Sequence, residues 1–372
     1  MDASILPHLA NAQRVVIESV GSAQPGLAGL LARQLGLPAN RVANALYRAP
    51  SVLLEDLPPA QAQGLANILQ QAGLHIRVEP SNTPAPQAGK TLDIALYVRD
   101  ISQLPACCQR LAHFLGCRPE AALNMLLTPP GVVLGDVSEA TAHALRHHLS
   151  DLDVELICST RVLARYQLLI NRAPGPSLDS LLHDLRQQQI RYDPDSCEVL
   201  DAIDTHQALY LWRRHQSAGG IRLLDLTFMR YDLSLNAVQP DSDTSQLPKL
   251  AGLPAELIEC VITNLPVVVE EGIAAQDLDS RLQAWRCARL PVQAVPVTLR
   301  QSRLALSAGS TATDAALPLL AQAGLVEPGQ THLSLPWRSP VIYGELMPRW
   351  LQQALEQLGI EHRWEEVDHG RH

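Results

Sequence analysis

Chemistry in this chain would have to come from its thirteen histidines, its seven cysteines and a few carboxylate pairs. The densest histidine group is AHALRHHLSD, with His143, His147 and His148. His143 and His147 stand four apart, which puts two imidazoles on one helix face at a spacing that can hold zinc. The glutamate of an HExxH pattern is missing and no third ligand stands nearby, so a solvated helix face is the preferred reading. Cys107 and Cys108 are adjacent, point to different sides of a helix and read as core thiols. Cys117, Cys158, Cys197, Cys260 and Cys287 are scattered, with no CxxC pair. Neither a GxSxG nor a local Cys/His signature marks a nucleophile. The turns GSAQPG and SAGSTATDAA lack the GK[ST] of a phosphate loop. Glu55-Asp56, Glu270-Glu271 and Glu365-Glu366 fall in turns or near the end of the chain, where carboxylates keep a surface solvated. These residues predict no catalytic group, no cofactor and no metal.

Composition narrows the field further. The formal net charge is −9, from 38 acidic and 29 basic residues. Phosphate binding needs a concentrated basic face, so a nucleic-acid groove is disfavoured, and a membrane surface for the same reason. Hydrophobic residues make up 47% but aromatics only 4%, which predicts a core of Leu, Val, Ile and Ala. No apolar run reaches the length of a membrane span, and the first residues do not read as a signal peptide. Scattered, odd-numbered cysteines suit reduced thiols. The expectation is a soluble, cytoplasmic protein.

The elements that would position any site repeat along the chain. Prolines 50, 130, 266 and 340 each precede a short apolar run, as in RAPSVLLEDLPP and TNLPVVVEEGIA. Gly36, Gly116 and Gly252 each lie fourteen residues before their proline. The gap between Pro130 and Pro266 leaves room for one more copy, whose marker position is held by Ser196. Each copy reads the same way. An alternating strand such as RVVIESV comes first, then a helix ended by the glycine, then a short helix stopped before the proline. A middle strand follows, then a turn and a third helix, which prolines such as Pro58 suit at its first turn, then a last strand. The order is β-α-α-β-α-β. It predicts an α+β chain of about five tandem two-layer units, each a three-stranded antiparallel sheet with helices on one face.

The expected repeats cover 12–80, 91–159, 164–229, 230–299 and 302–367, with a Pro-rich linker at 81–90. The third repeat is the most diverged. Its expected middle strand lies near Glu198–Leu200 and its long helix runs Thr205–Ser217. The linker predicts a loosely tethered first repeat, with the others packed more closely.

The first repeat, on the stretch GLPANRVANALYRAP followed by a strand, a helix ending QQAG and a last strand, resembles the C-terminal domain of the bacterial ribosomal stalk protein. The likeness covers about residues 14–79 and extends more weakly through the other repeats. The Clp protease adaptor shares the topology. The resemblance implies a protein-binding fold. Stalk domains meet translation GTPases through lysines on the helix after the glycine. The matching positions are Asn40 and Ala43, Glu120 and Leu123, and Glu256 and Glu259, so the basic face is replaced and is acidic in the fourth repeat. The adaptor's acidic and histidine residues have no counterpart near LLTPPG.

Two functional expectations result. The preferred one is a non-enzymatic scaffold or adaptor for protein partners, with the first repeat a mobile binding head that uses Asn40, Arg41, Asn44 and Arg48. The other is an enzyme or metal-binding protein that uses histidines in a cleft between repeats. The oligomeric state stays open.

Overall fold

In the computed structural model, residues 11–23, 26–86, 89–170, 176–194, 199–216, 221–307, 313–327 and 329–367 are described. The first strand of each repeat becomes the centre of its sheet. β1 (Gln13–Ser19) lies between β2 (Ser51–Leu57) and β3 (His75–Pro80), both antiparallel to it. α1 (Leu27–Leu35), α2 (Ala39–Tyr47) and α3 (Pro59–Gln71) complete the repeat. The alternating strand and the i, i+3, i+4 helix positions meet in one core. Val15, Ile17, Leu31, Val42, Leu46, Leu53 and Leu69 all close against one another there. Gly36 ends α1 in the left-handed region at φ 62°, and Leu37 N–H donates to the Ala32 carbonyl.

The second repeat has β4 (Leu92–Val98), α4 (Leu104–Leu115), α5 (Pro119–Leu127), β5 (Val132–Val137), α6 (Glu139–His148) and β6 (Val154–Thr160), with sheet order β5-β4-β6. The third has β7 (Arg165–Ile170), α7 (Pro176–Gln187), β8 (Ile203–Asp204), α8 (Thr205–His215) and β9 (Ile221–Asp225). The fourth has β10 (Arg230–Leu235), α9 (Leu247–Ala251), α10 (Ile258–Thr263), β11 (Val267–Ala274), α11 (Ala275–Cys287) and β12 (Val292–Pro296). The fifth has β13 (Gln301–Leu306), α12 (Leu317–Gln322), β14 (Trp337–Arg338), β15 (Ile342–Tyr343), α13 (Leu346–Gln357) and β16 (His362–Glu366). The chain is α+β, with five small antiparallel sheets, each centred on its first strand. Repeats one, two and four carry the full β-α-α-β-α-β order; no second helix is described before the middle strand of repeats three and five.

A shared irregularity marks the middle strand. Asp56, Asp136 and Gly272 each lie six residues after the marker proline and each takes a positive φ, 58°, 60° and 60°. The ladder slips there, as in a β-bulge. In repeats two and four a side chain of the central strand holds the bulge: Asp93 Oδ1 accepts from Asp136 N–H at 2.8 Å, and Asp232 Oδ1 from Gly272 N–H at 2.9 Å; in the first repeat Asp56 N–H donates to Ser81 Oγ instead. Arg161 and Arg300 pair with Asp93 and Asp232 at 3.1 and 3.0 Å. The marker peptides Ala49-Pro50, Pro129-Pro130 and Leu265-Pro266 are cis, as is Leu335-Pro336.

Three expectations are corrected. In the fifth repeat the marker is Pro336, not Pro340. Trp337 pairs with Leu306 as Ser51 pairs with Ile17 and Val267 with Leu235. Pro340 sits in the gap between β14 and β15, where it has no N–H to give to the ladder. Ser339 bridges that gap: its N–H donates to the Leu304 carbonyl, and its Oγ accepts from Leu304 N–H. In the third repeat the middle strand is β8, at Ile203–Asp204, rather than near Glu198–Leu200. Val199 instead forms an isolated bridge with Tyr192, and Leu200 N–H donates to the Arg191 carbonyl. Gln189, at φ 57°, turns the chain directly after α7. Ser196, Cys197, Glu198 and Ser217 lie outside the described residues, and α8 is described to His215.

The third correction concerns the tether. By its contacts the chain divides into two units, residues 1–127 with 131–161 and residues 128–130 with 162–372. In the first unit, the first repeat is docked on the second. Ser138 N–H and Thr141 Oγ1 both donate to the Tyr47 carbonyl, at 2.9 and 2.8 Å. Ala144 belongs to the first repeat's core, and Phe114 packs against it. The start of the linker is tied down as well: Ser81 N–H donates to the Ala12 carbonyl, and Arg14 reaches the Pro84 carbonyl.

Candidate functional site

The residues with chemical potential do not converge. On α6, His143 and His147 are exposed. His148 turns back instead, with Nε2 3.1 Å from the Arg110 carbonyl and its ring stacked on His113 at 5.6 Å. Burial lowers the His148 pKa, with the bond to Arg110 opposing it. Among the described residues no group of three or more His, Cys, Asp or Glu could hold a metal. Burial pushes the Cys107 and Cys108 thiols up to about 11 and about 12, the second aided by its neighbour, so both stay protonated and unreactive at neutral pH. The apolar hollow beside Leu46, Tyr47, Leu74 and Phe114 measures about 20 Å³, room for about one water.

One buried pair has catalytic residue types. His215 Nε2 lies 2.8 Å from Asp184 Oδ2, and Arg214 Nε approaches the same oxygen at 3.0 Å. Asp184 and His215 are 1% and 6% exposed. Among the described residues no hydroxyl or thiol that could act as a nucleophile hydrogen-bonds to His215. The other repeats show what the pair is. His215 stands eleven residues after its helix cap, where Leu69 and Trp285 fill the core of repeats one and four. Asp184 takes the place of Leu31 and Leu111, each one residue before the carbonyl that closes the helix turn. A polar pair has replaced two apolar core residues.

The sequence-predicted residues Asn40, Arg41, Asn44 and Arg48 all lie on or just after α2. Asn40, Arg41 and Asn44 are exposed, on the side opposite buried Val42 and Leu46. Arg48 is placed differently: its guanidinium is ion-paired with Asp136 of the second repeat, and Nε donates to the Asp136 carbonyl at 3.2 Å. The structure thus brings three of the four to one open surface and gives the fourth to the contact between the repeats.

A surface that the sequence reading missed lies on α8. A capping box starts this helix: Gln207 N–H donates to Asp204 Oδ1 at 2.8 Å, and Asp204 N–H donates back to Gln207 Oε1. Ala208, Leu211 and His215 face the core. Arg214 holds the outer edge, with Nη1 2.9 Å from Tyr210 Oη and its guanidinium over that ring. Leu209, Trp212 and Arg213 are left facing solvent, Leu209 at 41% and Trp212 at 39% exposure. Arg213 makes no hydrogen bond or ion pair with any described residue. The signal was in THQALYLWRRH. Once Ala208 and Leu211 face inward, 3.6-residue periodicity turns Leu209 and Arg213 out, while Trp212, four residues after Ala208, falls at the border of the buried face.

The fourth repeat shows the opposite charge. Nothing in Ala255–Thr263 is buried, whereas α2 buries Val42 and Leu46, and α5 buries Ala122, Leu123, Leu126 and Leu127. Leu257 is 46% exposed, between exposed Glu256 and Glu259, whose carboxylates have no partner among the described residues. No helix among the described residues is long and apolar enough to cross a membrane. Comparison with family models, with curated proteins and with solved structures finds no match.

Proposed function

We propose that the chain is a non-enzymatic scaffold or adaptor that binds other proteins, its repeats serving as tandem docking modules. The outward face of α8 carries this reading. Trp, Leu and an Arg without a partner among the described residues, side by side on a pinned helix, include the residue types that dominate interface energetics. The contribution of α8 to the core of the repeat is already made by Ala208, Leu211 and His215. Folding therefore gives no reason to hold Leu209 and Trp212 in water. The resemblance of the first repeat to stalk C-terminal domains supports the reading, since those domains meet partners on the two-helix segment. Asn40, Arg41 and Asn44 offer a second, polar surface on that segment. Several weak sites on one chain act together through effective concentration. The excess of acidic residues favours protein over nucleic acid as partner, and free thiols suit the cytoplasm.

The test is capture by the immobilised full chain, comparing wild type with Leu209→Ala/Trp212→Ala. The variant should lose at least one partner about tenfold or more, with its thermal unfolding shifted by no more than about 1 kcal/mol because both positions are exposed. If it retains every partner at wild-type strength, α8 is not a docking face and the reading loses its main support.

A further inference from the structure

Two faces of the second unit are apolar, open and of opposite charge. On α8, Leu209 and Trp212 adjoin the guanidinium of Arg213, which has no partner among the described residues, with exposed His206 one turn before Leu209. At the start of α10, Leu257 stands between the carboxylates of Glu256 and Glu259, which have no partner among the described residues, with exposed Cys260 beside them. Among the described residues neither face is fully covered. Leu257, Leu209 and Trp212 keep 46%, 41% and 39% of their surface in water. The α10 segment is also the least buried of the three two-helix segments, with no residue closed off from solvent. Its apolar side chains and its charges ask for a cover that is apolar at the centre and basic at the edge, which describes α8.

We propose that the chain self-associates, with α8 of one copy seated on the α10 segment of another. This rests on the reading of α8 as a protein-docking face. Leu257 would meet Leu209 and Trp212 at the centre of the contact, where water is excluded. Arg213 would lie against Glu256 and Glu259 at its rim. Charge at the rim sets orientation and choice of partner more than strength. It also works against a general repulsion, because two copies of a chain with net charge −9 oppose each other everywhere else. One helix on another is a small contact, below about 1,000 Å². A single contact should therefore be weak, and a two-fold pair that uses the contact twice should be stronger. Because the rim pair is exposed, association should weaken as salt rises above about 0.15 M.

The test is sedimentation equilibrium of the full chain over a wide concentration range. Wild type should exceed the monomer mass as concentration rises. Arg213→Glu should weaken association about tenfold or more, and Glu256→Arg/Glu259→Arg likewise. The triple variant that carries all three changes should regain most of the loss, because the charges face each other again with signs exchanged. A monomer at every concentration overturns the proposal. So does association that survives either reversal unchanged, or reversals that fail to compensate in the triple variant. The capture experiment with Leu209→Ala/Trp212→Ala separates this failure from that of the broader reading. Loss of captured partners in a chain that stays monomeric leaves α8 a docking face for other proteins. Retention of all partners in such a chain removes both.

Discussion

At the scale of single residues, the Asp184–His215 pair is the clearest departure from the repeat pattern. Both side chains leave water, and a buried polar or ionic pair recovers little beyond its desolvation cost. Leucine or tryptophan does the same packing in sister repeats, at Leu31, Leu111, Leu69 and Trp285. The pair is therefore replaceable together and not singly. Asp184→Leu alone should cost about 3 kcal/mol or more, by leaving buried His215 without its acceptor. His215→Leu alone should cost less, because Arg214 still holds Asp184 at 3.0 Å. The double variant should unfold within about 1 kcal/mol of wild type, with a coupling of about 3 kcal/mol between the sites, at the upper end of the range for residues in contact. Denaturant unfolding of the four proteins measures this. Additive single costs would show that the two side chains do not act as a pair.

At the scale of elements, two glycines with the same sign of φ have different reasons for being there. Gly36, at φ 62°, ends α1 with nothing within 4 Å of where a Cβ would stand. Gly36→Ala should therefore cost only the left-handed conformation, about 1–2 kcal/mol. Gly131, at φ 78°, follows a marker proline, and an added Cβ would stand 2.8 Å from the Leu96 carbonyl oxygen on the central strand. That oxygen belongs to the backbone of β4 and cannot swing away. Gly131→Ala should cost about 1–3 kcal/mol more than Gly36→Ala, from overpacking against the sheet. Chemical denaturation of the two variants compares them directly, and equal costs would mean that the sheet yields to the added carbon.

At the scale of the molecule, the first two repeats behave as one body in the contacts they make. The Tyr47 carbonyl is shared by Ser138 and Thr141, Arg48 is paired with Asp136, and Ala144 lies in the first repeat's core. Leu69→Ala in the first core and Leu145→Ala in the second should therefore lower the same calorimetric transition. Each should cost about 2–5 kcal/mol as a cavity at a site fully closed from solvent. Two separately shifted transitions would restore the picture of a first repeat on a free tether. The docked arrangement also changes what the first repeat offers a partner. Its exposed Asn40, Arg41 and Asn44 lie on a fixed surface, and Arg48 is occupied.

The sequence by itself determined the α+β class and the sheet-by-sheet order, because these rest on local backbone chemistry. Glycine at a helix end, proline ahead of a strand and alternation within a strand act over a few residues, and they repeat at readable spacings. It also placed Asn40, Arg41 and Asn44 outward, since Val42 and Leu46 take the inward side of a 3.6-residue period. Tertiary structure alone decided what depends on partners far apart in the chain. The marker moved from Pro340 to Pro336 because strand pairing with β13, not proline spacing, sets the register. The middle strand of the third repeat moved to Ile203–Asp204 because its sheet edge is set by β7. Asp184 and His215, thirty-one residues apart, meet only when α7 packs on α8. Whether Trp212 faces core or water was likewise settled by which side of α8 the sheet had already filled, and that is a property of the packed repeat rather than of any stretch of its sequence.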